Sequence, residues 1–204
     1  MSTLKKKVYR KNNEMKTLVI FAHPNPQSFC GALRDSFMSG AKTGNHTVKI
    51  IDLYKENFDP VSFGDNKISP DVEKYQTLIK DAHCLVFIYP IWWFRAPAIL
   101  EGWIDRVFTL GFAFKFKNVI GNWGRPIGLL PCDRAIIINT YGSPAVATKY
   151  FYMNIPFRRL KRGVLKMCGI RKIKRFNCWS VPFIPEEKRK SYLKKVYKIG
   201  KNLI

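Results

Sequence analysis

Apolar, β-rich runs alternate with stretches of helical periodicity from residue 16 onward in this 204-residue chain. That alternation predicts an α/β domain, a parallel sheet covered by helices on both faces. Two further observations agree. Helix-start signals stand between the apolar runs, and a 47% hydrophobic content over this length suffices for one sizeable core but not for two full domains.

Strands are expected at residues 17–22 (TLVIFA), 47–52 (TVKIID), 84–89 (CLVFIY) and 135–139 (AIIIN), with a fifth near 175–180. Helices are expected at 29–42, 72–82, 97–108, about 156–168 and 186–203. Ser28 stands where an N-cap belongs, and Pro70 and Pro185 occupy first-turn positions. Residues 1–14 carry Lys5, Lys6, Lys7, Arg10 and Lys11 and are expected to be a basic, disordered extension, leaving 15–204 as a single domain.

Composition narrows the function classes. The five cysteines are widely spaced within apolar runs, which suits reduced core thiols rather than a disulfide framework or a metal site. No stretch has the apolar core of a secretory leader or the roughly 18 uncharged residues of a membrane span. A soluble, cytoplasmic protein is expected. The formal charge of +22 has two readings, a lysine-rich solvated face or a surface for nucleic acid or anionic membrane. The cations fall in three separate stretches, which favours the first.

Doubly wound sheets bind ligands at the carboxyl ends of their strands, so the three unusual strand exits are the candidate sites. The first, HPNPQSF, leads into a helix whose first N–H groups are free to meet a phosphate. His23 and Ser28 can add side-chain bonds, although a strand-end histidine and a plain N-cap explain them equally well. The loop lacks the glycines of a dinucleotide or Walker fingerprint. The second exit, PIWWFRAP, sets Trp92, Trp93 and Phe94 in succession where the sheet meets solvent. Read as an extended loop, it alternates its rings between core and solvent and offers a wall to a planar heterocycle. The third, NTYGSPAVAT, is a turn whose Gly142 admits close backbone approach, with Thr140 and Tyr141 able to hydrogen-bond. Cys30, on the first turn of a helix, invites a reading as nucleophile, but neither a second histidine nor a paired cysteine lies near it.

Taken together, AHPNPQSF, YPIWWFRAPAILEGWIDRVFTLGFAF and NTYGSP resemble the NAD(P)H:quinone oxidoreductase family, over about residues 16–180. The middle motif, W-(W/Y)-F-x-x-P-A-x-L-x-x-W-x-(D/E)-R-V-F, is specific. The resemblance implies a flavodoxin-like fold with strand order 2-1-3-4-5, and FAD or FMN as cofactor, FAD being preferred. His23, Gln27, Ser28 and Phe29 would hold the flavin phosphates. Pro90, Ile91, Trp92, Trp93 and Phe94 would line the isoalloxazine, and Thr140, Tyr141 and Gly142 would meet its pyrimidine edge. It also implies a homodimer with residues 111–116 leading into the interface, and ping-pong hydride transfer from NAD(P)H to quinones or other flat electrophiles. The third loop departs from the family's glycine-rich TTGG, and no histidine follows residue 83. Tyr150 is the expected catalytic tyrosine, with Tyr152 as its substitute. The same family includes ancillary flavoproteins of potassium-efflux systems, so a regulatory subunit of a membrane transporter is the rival reading.

Overall fold

The computed structural model describes residues 14–62, 64 and 68–203. The proposed basic extension therefore lies outside the described residues, apart from Glu14.

Five strands form one parallel sheet. They are β1 (Lys16–Phe21), β2 (Thr47–Asp52), β3 (Cys84–Pro90), β6 (Arg134–Thr140) and β7 (Lys172–Cys178), in the order β2-β1-β3-β6-β7. This is the expected 2-1-3-4-5 order with its last two strands renumbered. Register aligns Thr17 with Cys84 and Cys84 with Arg134, so the carboxyl ends of β1, β3 and β6 finish side by side. Helices α1 (Phe29–Thr43) and α5 (Glu186–Lys201) cover one face. There Val19, Phe21, Phe37, Ile88, Ile138 and Val196 share a core. Helices α2 (Pro70–Asp81) and α3 (Ala98–Val107) cover the other, around Ile20, Phe87, Leu100, Trp103 and Ile137. Burial on both faces explains why β3 is apolar throughout.

Two expectations are corrected. Strict strand–helix alternation fails at residues 114–128, which form an antiparallel hairpin of β4 (Phe114–Ile120) and β5 (Trp123–Gly128) outside the main sheet. Its signal was available: Phe114, Lys115, Phe116 and Lys117 alternate with period two, and Gly121, at φ 51°, supplies the turn. The helix expected at about 156–168 is instead a short α4 (Ile155–Arg158) running into a wider π-helical stretch, Arg159–Leu165. Such irregular turns concentrate at functional sites, and this one follows the third strand exit.

All five cysteines are free and buried. Burial pushes the Cys30 and Cys84 thiols up to about 12, from an ordinary value of 9.0. A thiol whose native pKa lies above its unfolded one contributes stability that is complete below about pH 9 and is lost as the pH climbs through 12. The unfolding free energy from urea titration should accordingly hold steady to about pH 8.5 and then fall, by up to ~1.4 kcal/mol per pH unit for each such thiol. Cys30→Ala should flatten that decline, which separates the thiol from the titrating lysines. An identical decline in both proteins would refute the assignment.

Candidate functional site

The first exit, residues 22–28, is folded by its own polar groups. Asn25 N–H donates to His23 Nδ1 at 3.0 Å, and Gln27 N–H donates to Asn25 Oδ1 at 2.8 Å. Asparagine serves here because its side chain mimics a backbone turn. Desolvation lowers the His23 pKa, so the ring is neutral at pH 7 and, with Nδ1 accepting, carries its proton on Nε2. Ser28 caps α1, its Oγ accepting from Gly31 N–H at 3.2 Å, and its own O–H remains available as a donor. The N–H groups of Phe29 and Cys30 make no backbone hydrogen bond among the described residues. They are the orphan donors of a helix start. Gly31 is required by contact: a Cβ there would stand 1.9 Å from the Pro26 carbonyl oxygen.

The second exit corrects the extended-loop expectation. Trp92 N–H donates to Arg95 O and Arg95 N–H to Trp92 O, each at 3.0 Å, which closes a two-residue reverse turn. Trp93 and Phe94 fill its centre with φ of 47° and 59°. Left-handed backbone is unfavourable for bulky residues, and such strain collects at ligand sites. The turn lifts Trp93 clear of the protein, at 90% exposure. Trp92 faces the first loop, its ring centroid 6.1 Å from that of His23. Phe94 leans the other way, 4.4 Å from Tyr152. Pro90 is buried at the end of β3, and Ile91 N–H is spent on Thr140 O at 2.8 Å. Behind the turn, Glu101 of α3 accepts from Ala96 N–H at 3.1 Å and pairs with Arg159, which ties the aromatic turn to the π-helical stretch.

At the third exit, Thr140 and Tyr141 lie beneath the surface. The Thr140 hydroxyl meets Cys30 Sγ at 3.1 Å, which joins α1 to the end of β6. Tyr141 is 2% exposed, stacks on Trp179 at 4.2 Å, and exchanges its backbone groups with Cys178 O and Val181 N–H. Both residues support the loop from below. Its surface donors are the N–H groups of Gly142 and Ser143, which make no backbone hydrogen bond among the described residues. A Cβ on Gly142 would meet nothing within 4 Å. Space above it is therefore left open by the protein itself.

Strands sit about 4.8 Å apart, so the first and third loops stand roughly 10 Å from each other with the aromatic turn between them. The residues fit a flavin. Unused N–H donors lie at both ends of the row, a flat exposed aromatic stands at its centre, and Gly142 leaves room at the far side. Of the two candidate tyrosines, Tyr152 touches the aromatic turn, whereas Tyr150 is 77% exposed in the π-helical turn Ala147–Phe151 with no ring contact among the described residues. Cys30, buried and protonated, is no nucleophile.

Sequence reasoning missed three residues: Glu101, the positioning role of Ser143, and Arg189. Ser143 Oγ and Thr148 Oγ1 lie 2.8 Å apart, which ties the third loop to the π-helical turn behind it. Arg189, from the start of α5, places its guanidinium 5.5 Å from the Phe29 ring and donates to Val181 O at 2.7 Å. Only the arrival of α5 beside the first loop reveals its place, since 160 residues separate it from Phe29.

Residues 15–200 match the family described as having the flavodoxin-like fold. A ribosyldihydronicotinamide dehydrogenase-like protein of Penicillium crustosum is 34% identical over 154 residues, covering 63% of this chain, which spans 58% of that relative's length. A Haemophilus influenzae protein named as an uncharacterized NAD(P)H oxidoreductase is 31% identical over 188 residues, covering 88% of this chain and 91% of its own. Among solved structures, the NAD(P)H:quinone oxidoreductase of Methanothermobacter marburgensis superposes with a TM-score of 0.81 at 25% identity, covering 93% of this chain and 97% of that one. With the sheet order, the three strand exits and these matches in agreement, the chain belongs to the flavodoxin-like NAD(P)H:quinone oxidoreductase family.

Proposed function

We propose that this chain is a flavin-dependent NAD(P)H oxidoreductase of the quinone-reductase type, with FAD as the flavin. The observation that carries the reading is the strained Trp92–Arg95 turn, which holds exposed aromatic surface between two sets of unspent backbone donors. Family members related to this chain that are named as NAD(P)H oxidoreductases support it. A bound flavin supplies the redox chemistry, accepting and returning hydride at its ring.

The protein's own part is binding and orientation. Phe29 and Cys30 N–H, the Ser28 hydroxyl and His23 Nε2–H would meet the phosphates, with Gln27 exposed beside them. Trp92, Trp93 and Phe94 would hold the ring system and exclude water from one of its sides. Gly142 and Ser143 N–H would stabilise negative charge at the pyrimidine edge, with Thr140 and Tyr141 fixing their height. Tyr152, held against Phe94, would take the role that the resemblance assigns to Tyr150. NAD(P)H and a quinone or similar flat acceptor would occupy the same face in turn, giving parallel double-reciprocal plots.

Exposed apolar side chains around the site, Trp93, Phe151 and Met153, and along the hairpin, Phe116, Ile120 and Trp123, support a homodimer that covers them. Buried free thiols support a reducing, cytoplasmic setting. Among the described residues, no helix is long and apolar enough to cross a membrane.

The test is direct. Purified protein should show a flavin absorption spectrum that NADPH bleaches under anaerobic conditions and a quinone restores, and the released cofactor should be FAD. Tyr152→Phe should slow turnover by about tenfold or more while Tyr150→Phe leaves it unchanged. Protein that takes up neither FAD nor FMN would end this reading.

A further inference from the structure

A second cavity lies at the opposite end of the sheet from the aromatic turn, between the amino ends of β3, β6 and β7 and the last turn of α5. Its volume is about 440 Å³, within the range of small-molecule sites. One wall of it is α5, which packs closely on α1. A Cβ on Gly40 would stand 2.0 Å from Tyr197 O, and one on Gly200 would stand 2.2 Å from Phe37 O. The two glycines let α5 press directly onto α1, and the last turn of α5 walls one side of the hollow, opposite the amino ends of β6 and β7.

Four cations line the hollow: Arg134, Lys172, Lys174 and Lys198. Asp133 is the carboxylate that answers them, with Oδ2 2.9 Å from Lys172 Nζ and Oδ1 3.7 Å from Arg134 Nε. The second distance is too long for a hydrogen bond, and Arg134 Nε is buried with no hydrogen-bond partner. Lys174 and Lys198 form no ion pair among the described residues. A buried guanidinium N–H without an acceptor is costly, and beside two unpaired ammonium groups it calls for an anion. The floor is of the opposite character. Ile136 and Leu203 are almost fully buried there, with Ile199 beside them.

We propose that this cavity binds a small amphipathic organic anion, with an apolar body on Ile136, Ile199 and Leu203 and a carboxylate or equivalent acidic group on Arg134, Lys174 and Lys198. Nucleic acid fits less well, since among the described residues no aromatic side chain lines the cavity to stack a base. Bare phosphate would leave the apolar floor unused. The site is separate from the flavin reading and stands whether or not that reading does.

Calorimetric titration of the full chain with decanoate should give one site per chain. Decyltrimethylammonium, of the same chain length and opposite charge, should bind at least about tenfold more weakly, and inorganic phosphate should not displace decanoate. Lys174→Gln combined with Lys198→Gln should weaken decanoate by at least about tenfold. In the unaltered protein, the methyl resonances of Ile136, Ile199 and Leu203 should shift on adding decanoate, so the test survives a variant that fails to fold. Equal binding of the two decyl compounds, unmoved methyl resonances, or displacement by phosphate would overturn the proposal. So would lysine-dependent binding to phosphatidylglycerol vesicles without decanoate binding, which would make the patch a membrane surface.

Discussion

Gly31→Val should strip the chain of its flavin while leaving most of the fold standing. A Cβ at this position would lie 1.9 Å from the Pro26 carbonyl oxygen, a backbone atom with no side-chain freedom to yield. The loop from residue 22 to residue 28 would have to lift off α1. With it would go the Asn25 and Gln27 turn bonds and the alignment of the Phe29 and Cys30 N–H groups. Charge-assisted bonds from such donors are the strong ones in phosphate binding, so the flavin Kd should rise by more than about 100-fold. Gly142→Ala is the contrasting control. Among the described residues, nothing beyond its chain neighbours lies within 4 Å of a Cβ placed there, so thermal stability should be unchanged, and any loss of affinity reports on the ligand alone. Titration of apoprotein with FAD, followed by quenching of flavin fluorescence, measures both. An unchanged Kd in Gly31→Val would remove the first loop from the site.

Trp103→Ala should be the most damaging core substitution, costing about 3–5 kcal/mol. Trp103 is fully buried at the centre of the α2–α3 face, edge-on to Tyr75 at 6.0 Å and against Phe108 at 5.6 Å. Deleting the indole removes its apolar area and leaves a cavity that three packed elements cannot close. Tm should drop by roughly 6–20 °C for a chain of this size. The indole Nε1 is buried without a hydrogen-bond partner, so Trp103→Phe gives up volume but also relieves an unsatisfied donor and should cost less than half as much. Thermal unfolding followed by circular dichroism separates the three proteins. A loss below about 1 kcal/mol for the alanine variant would show that the α2–α3 face is not closely packed around the indole.

The two substitutions also mark how far the sequence could be read. Trp103 lies in the segment 97–108 whose helix the sequence predicts, and the strands and the three exits were equally legible because each is a local pattern. The capped helix start at Ser28 was visible for the same reason. Gly31 was not singled out, because its partner, the Pro26 carbonyl, meets it only once the loop has folded back over the helix. The aromatic run reads in the sequence as extended chain, whereas the structure closes it into a reverse turn. Its reverse turn depends on Trp93 and Phe94 accepting left-handed backbone, against their own preferences, and only the surrounding structure can impose that.

Tyr150 and Tyr152 show the same boundary. The resemblance offered both as candidates, and the π-helical turn Ala147–Phe151, which carries Tyr150 and ends at Tyr152, leaves Tyr152 against Phe94. Arg189 and the cationic cavity lay beyond sequence reading altogether, since each joins elements far apart in the chain. By itself, then, the sequence determined the layers, the sheet and the three exits, because hydrophobic period and capping act within a few residues. Tertiary structure alone decided which donors remain free, which tyrosine meets Phe94 and where a cationic cavity opens beside α5, because those depend on contacts between distant elements.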